Sequence, residues 1–64
     1  MYGEIFEEVD RVFPELIELL KRKNPELVAL YKQRYEYTQN AYPQVMRLHN
    51  AYQILRTYQI LKRR

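Results

Sequence analysis

From residue 2 to residue 20 the apolar side chains recur at helical intervals. At about 100° per residue, Tyr2, Ile5, Phe6, Val9, Val12, Phe13, Leu16, Ile17, Leu19 and Leu20 fall in a sector of about 160°, and charged residues fill the rest. Pro14 lands near the middle of the charged side, so the stripe passes it in phase. A proline there removes the bond to the Asp10 carbonyl on the wet face and bends the helix around its core. Phe13 is a poor N-cap, which argues against a fresh start at Pro14. The pattern predicts one helix over about 2–22, bent at Pro14.

The next proline reads differently. Asn24 is a good N-cap, Pro25 suits the first helical position, and Glu26 comes next, where the helix dipole favours an acid. "KRK" at 21–23 supplies cations for the last turn of the helix before it. A second helix is predicted over 25–39, with Leu27, Leu30, Tyr31, Tyr37 and Thr38 on one side and Val28 and Tyr35 on its shoulder. "TQNAYP" interrupts it. Asn40 is a candidate cap for a third helix over 41–62, with Pro43 still in its first turn, where no intrahelical donor is missed. Such short connections make neighbouring helices antiparallel, so the fold class expected is an all-α three-helix bundle forming one domain over 1–64. The stripe also stays roughly in phase to Leu55, so the alternative is a helical hairpin, its second helix running from Pro25 to the end, that dimerises into a bundle.

The third helix carries two apolar seams of equal spacing. Val45, Leu48, Tyr52 and Leu55 form the first; Ala51, Ile54, Tyr58 and Leu61 form the second. A three-helix bundle needs only one of them, and Met46 and Ile60 widen the apolar surface further. Either both seams make one broad core face, or the first packs inside and the second meets a partner, most simply another copy across a two-fold axis. Chain length favours the partner: 64 residues without cysteine have neither a large core nor a disulfide, and such chains gain stability by idealised helix packing or by self-association. A homodimer interface at Ala51, Ile54, Tyr58 and Leu61 is therefore expected.

Charge divides along the chain. Residues 1–18 hold six acids and one base, a net −5, whereas residues 19–64 hold ten bases and two acids, a net +8. An acidic element and a basic remainder can satisfy each other within the bundle or across a dimer. The acidic start differs from the basic n-region of a signal peptide, and no apolar run approaches the roughly 20 residues of a membrane span, so a soluble, cytoplasmic protein is expected. A surface role on anionic lipid is disfavoured by the acidic face of the first helix.

Catalysis finds little support. Cysteine and serine are absent, and besides tyrosine only Thr38 and Thr57 carry hydroxyls. His49 has Val45 and Gln53 four residues away on either side, so it lacks a partner at metal-ligand spacing and reads as a histidine at the edge of the apolar stripe. A single glycine permits no phosphate loop. No enzyme, metal or cofactor is expected.

Seven residues mix cations with an aromatic ring in the way backbone contact and base stacking would use: Arg34, Tyr35, Arg47, Arg56, Lys62, Arg63 and Arg64. Yet "KRK" and "KRR" both fall at predicted helix C-termini, where cations favour the dipole whatever the partner. In a helix-turn-helix arrangement the second helix would lead with Glu26, Leu27, Val28 and Ala29, which suit neither phosphate nor base edges. Arg34 lies near the centre of the second helix's apolar face with no acid three or four residues away. It calls for a carboxylate from the first helix or a dimer mate, or extends its head to water over the core. The expectation is a non-enzymatic protein–protein interaction module, an adaptor or small regulator acting as a homo-oligomer. The alternative is a dimeric nucleic-acid-binding regulator that uses the basic second and third helices.

Overall fold

The structure is a computed structural model and describes residues 2–40 and 42–63. The first helix, α1 (Tyr2–Lys23), runs through Pro14 without interruption, as the phase of its apolar stripe requires. Its inward residues Val9, Val12, Leu16, Ile17, Leu19 and Leu20 are all buried and make up most of the aliphatic core. Burial of a leucine or valine side chain is worth about 1.5–3 kcal/mol, so α1 is the main source of hydrophobic stabilisation. The place of the Tyr2 side chain lies outside the described residues.

Asn24 joins α1 to the succeeding turn through its backbone, contrary to the side-chain cap expected from sequence. Its N–H donates to the Leu20 carbonyl at 2.8 Å, which closes α1, and its carbonyl accepts from the Leu27 N–H at 2.9 Å, which opens a single 3₁₀ turn over Pro25–Leu27. The amide makes no capping bond and reaches Glu26 Oε2 at 3.5 Å instead. The second helix, α2 (Val28–Asn40), begins directly after this turn. It turns Tyr31 and Thr38 inward and leaves Leu30 and Tyr37 exposed, although all four share one side in the sequence pattern.

The third helix, α3 (Gln44–Arg63), starts after Pro43, which is joined to Tyr42 by a cis peptide and accepts from the Met46 N–H at 3.0 Å. Pro43 therefore precedes the helix, and Asn40 ends α2 with its amide on the Glu36 carbonyl at 3.3 Å. The expected start at Ala41 lies outside the described residues. Among the described residues there are three α-helices, and the long continuous second helix of the hairpin alternative is not formed.

Contacts fix the directions. Asp10 meets Gln39 while Phe13 meets Tyr35, so α1 and α2 are antiparallel. Thr38 meets Arg47 and Tyr31 meets Thr57, so α2 and α3 are antiparallel as well. Phe6 meets Arg47 and Glu15 meets Tyr58 and Lys62, so α1 and α3 run parallel. Two helix ends are closed by cations from a neighbour. Arg47 Nε donates to the Thr38 carbonyl at 2.8 Å, supplying α2 with the C-terminal cation its own last turn lacks. Lys23 Nζ donates to the Leu61 carbonyl in the last turn of α3 at 3.1 Å.

Candidate functional site

Because α3 is packed along one side only, its two seams have opposite fates. Ala51 and Ile54 are fully buried, Leu61 is 5% exposed, and Tyr58 packs against this core half-buried. Val45 is 66% and Tyr52 54% exposed, with Leu48 and Leu55 half-buried beside them. The seam expected to meet a partner is thus the inner one. Ala51, Ile54, Tyr58 and Leu61 form the contact with α1 and α2, whereas Val45 and Tyr52 face outward, Leu48 is half-buried and Leu55 packs in part against the core.

Two features select the inner seam. Ala51 is small and lets the α3 backbone approach its neighbours closely. Tyr58 and Lys62, on the same side of α3, both reach Glu15 of α1: the phenol donates to Oε1 and the ammonium to Oε2, each at 2.8 Å. These bonds hold the Glu15 carboxyl below the usual glutamate range, the lysine bond contributing most, and Lys62 is held above the usual lysine range in return. An alanine at seam position 51 beside side chains that complement an acidic α1 was the available signal in the sequence.

The outward seam has borders of different charge character. On the α1 side Glu8 pairs with Arg11 and Glu15 with Lys62, so this border carries no net charge. Helical periodicity puts His49, Arg56 and Arg63 along the other border at intervals of seven residues, and all three are exposed. Leu48 and Leu55 pass between these rows with Val45 and Tyr52 at spacings of three, four and three, the repeat of a coiled-coil seam.

A second outward surface lies on the far side of α3, where it meets α2. Leu30 and Tyr37 of α2 and Met46 and Ile60 of α3 are exposed there. The seam beneath them is polar: Tyr31 Oη and Thr57 Oγ1 share a hydrogen bond of 2.7 Å, Thr38 Oγ1 donates to the Arg34 carbonyl at 2.9 Å, and Asn50 Nδ2 donates to the Met46 carbonyl at 2.8 Å. Arg34 sits half-buried among these groups with its guanidinium 5.4 Å from the centre of the Tyr31 ring. Its Nε is buried and has no acceptor, and among the described residues no carboxylate pairs with it.

Most of the residues singled out for nucleic-acid contact have intramolecular employment. Tyr35 stacks on Phe13 with ring centres 4.0 Å apart and donates to Asp10 Oδ1 at 2.7 Å. Arg47 closes α2 and lies 4.5 Å over the Phe6 ring. Lys62 pairs with Glu15, whereas Arg56 and Arg63 are exposed, and Arg64 lies outside the described residues. The parallel course of α1 and α3 also gathers Lys21, Arg22, Lys23, Lys62 and Arg63 at one end of the bundle, as the Lys23 bond to Leu61 records.

Among the described residues no cluster of His, Cys, Asp or Glu could hold a metal ion, and no helix is long and apolar enough to cross a membrane. No family model matches the chain, and no curated protein or solved structure is significantly similar to it.

Proposed function

We propose that the protein is a non-enzymatic interaction module, an adaptor or small regulator, that works as a homo-oligomer paired through the outward seam of α3. The supporting observation is the coiled-coil spacing of Val45, Leu48, Tyr52 and Leu55, with Val45 and Tyr52 exposed and the two leucines half-buried, on a chain with a small core. Pairing this seam with a second copy removes apolar surface from water at about 25 cal/mol per Å². A two-fold axis along the helices swaps the borders of the seam, so the internally paired Glu8–Arg11 and Glu15–Lys62 row of one copy falls over the exposed His49, Arg56 and Arg63 row of its mate. A parallel dimer is therefore favoured over an antiparallel one, which would lay the Arg56 and Arg63 row on its own copy.

Sedimentation at micromolar concentration tests the proposal. The wild type should run heavier than its 8.0 kDa monomer. The double variant Val45→Glu, Tyr52→Glu should run as a monomer of unchanged helicity, because neither side chain supports the core. A wild type that sediments as a monomer rejects the homo-oligomer.

A second reading, a dimeric nucleic-acid-binding regulator, has one observation in its favour: the gathering of Lys21, Arg22, Lys23, Lys62 and Arg63 at one end. Binding to random duplex DNA should then weaken steeply as salt rises. No binding at low salt removes it.

A further inference from the structure

We infer that the outer face shared by α2 and α3 is a docking site for an acidic amphipathic helix of a partner protein. The inference rests on the reading of the chain as an interaction module and assigns that module its foreign partner. Its apolar contacts are laid out at helical intervals. Leu30 and Tyr37 stand seven residues apart on α2, Met46 and Ile60 fourteen apart on α3, and all four are between 40% and 49% exposed. In the antiparallel register set by the Thr38–Arg47 and Tyr31–Thr57 contacts, they form two columns, one on each side of the α2–α3 contact. A helix laid between such columns buries an apolar stripe of its own.

Charge identifies which helix. The whole of α3 contains no acid, and the only acid of α2, Glu36, is about 160° around the helix from Arg34. Arg34 stands between the apolar columns, and Arg56 borders them. Arg34 Nε is buried without an acceptor and the half-buried guanidinium has no carboxylate among the described residues, so an acid arriving on this face meets an unpaired cation. A guanidinium already held over the Tyr31 ring loses little further freedom when it meets one. A second copy is the wrong occupant, because two-fold pairing of this face would bring Arg34 against its own mate. Duplex DNA is also a poor match, since the four apolar side chains offer phosphates nothing.

The test uses the full chain and two labelled peptides of about 20 residues, a length of about 30 Å when helical. Both carry leucine at i, i+3, i+7 and i+10; one has glutamate on the flanking positions and the other lysine. Fluorescence anisotropy should show the glutamate peptide binding and the lysine peptide not. Arg34→Met, which removes the unpaired donor and so leaves the fold intact, should weaken binding at least about tenfold. Ile60→Ser should weaken it as well, without altering helicity. The Val45→Glu, Tyr52→Glu variant should bind the peptide as the wild type does, which separates this site from the self-association seam. Equal binding of the two peptides, or binding unaffected by Arg34→Met, overturns the proposal. So does displacement of the glutamate peptide by random duplex DNA.

Discussion

The Tyr35 hydroxyl donates a 2.7 Å hydrogen bond to Asp10 Oδ1 while its ring lies 4.0 Å from that of Phe13 and nearly parallel to it. One side chain thus ties α2 to α1 twice, once by stacking and once by a charge-assisted bond. Gln39 Nε2 donates to the same carboxylate oxygen at 2.8 Å. The bond to Asp10, with burial and the nearby negative charge, raises the Tyr35 pKa above its ordinary value. The folded state therefore holds the phenolic proton more tightly than the unfolded chain does. That contribution is present below the ordinary tyrosine value of about 10 and is lost as pH rises through the folded pKa. Tyr35→Phe keeps the stack and removes the bond, so thermal denaturation at neutral pH should show a loss of about 1 kcal/mol. The alkaline loss of stability should be shallower in the variant. An unchanged melting temperature would show that the bond contributes nothing.

Glu15 governs the opposite limb. Its carboxyl is held below its usual value first by Lys62 and then by Tyr58. The stabilisation is present above the ordinary glutamate value of about 4.3 and disappears as pH falls through the folded pKa. Glu15→Gln should lower the urea midpoint at pH 7, and the gap from the wild type should close on acidification. Glu8, held low by Arg11, is common to both proteins and cancels. A gap of constant size across the range would show that the Glu15 charge is not coupled to folding.

Pro14 is a surface residue inside a continuous helix and offers a gain. In a helix interior proline is less favourable than alanine by about 3 kcal/mol, offset by about 0.4–1 kcal/mol of reduced unfolded-state entropy. Pro14→Ala should therefore stabilise the protein by about 2 kcal/mol and raise its melting temperature by about 8–16 °C. A lower melting temperature would mean that the core packing depends on the proline.

The placement of the seams makes a sharp contrast on one helix. Ile54→Ala opens a cavity in the core and should cost about 2–5 kcal/mol, a large share of what a small domain possesses. Val45→Ala, on the outer seam, should change the unfolding free energy of the monomer by no more than about 0.5 kcal/mol. Chemical denaturation at high dilution measures both. Comparable losses at the two positions would contradict the placement of the seams.

The local structure was open to sequence reasoning wherever neighbours in the chain decide it. The stripe from Ile5 to Leu20 specified α1 through Pro14, because periodicity survives a proline placed on the wet side. The break at Asn24 was visible because asparagine succeeded by proline and an acid disfavours continuing a helix. What escaped was the means: Asn24 closes α1 and opens the next turn with its backbone, while the sequence pointed to its amide.

The choice between the two seams of α3 belonged to the tertiary structure. Their spacings are identical, so periodicity carries no preference between Ile54 and Leu48. Nor could it tell that Arg47 closes α2 or that Lys23 closes α3, since each acts on a carbonyl presented by another helix. The tie is broken by the parallel course of α1 and α3, which sets Glu15 beside Tyr58 and Lys62 and brings Ala51 into the interior. Helix existence is decided by interactions a few residues apart along the chain. Which side of a helix is inside depends on what the rest of the chain sets against it.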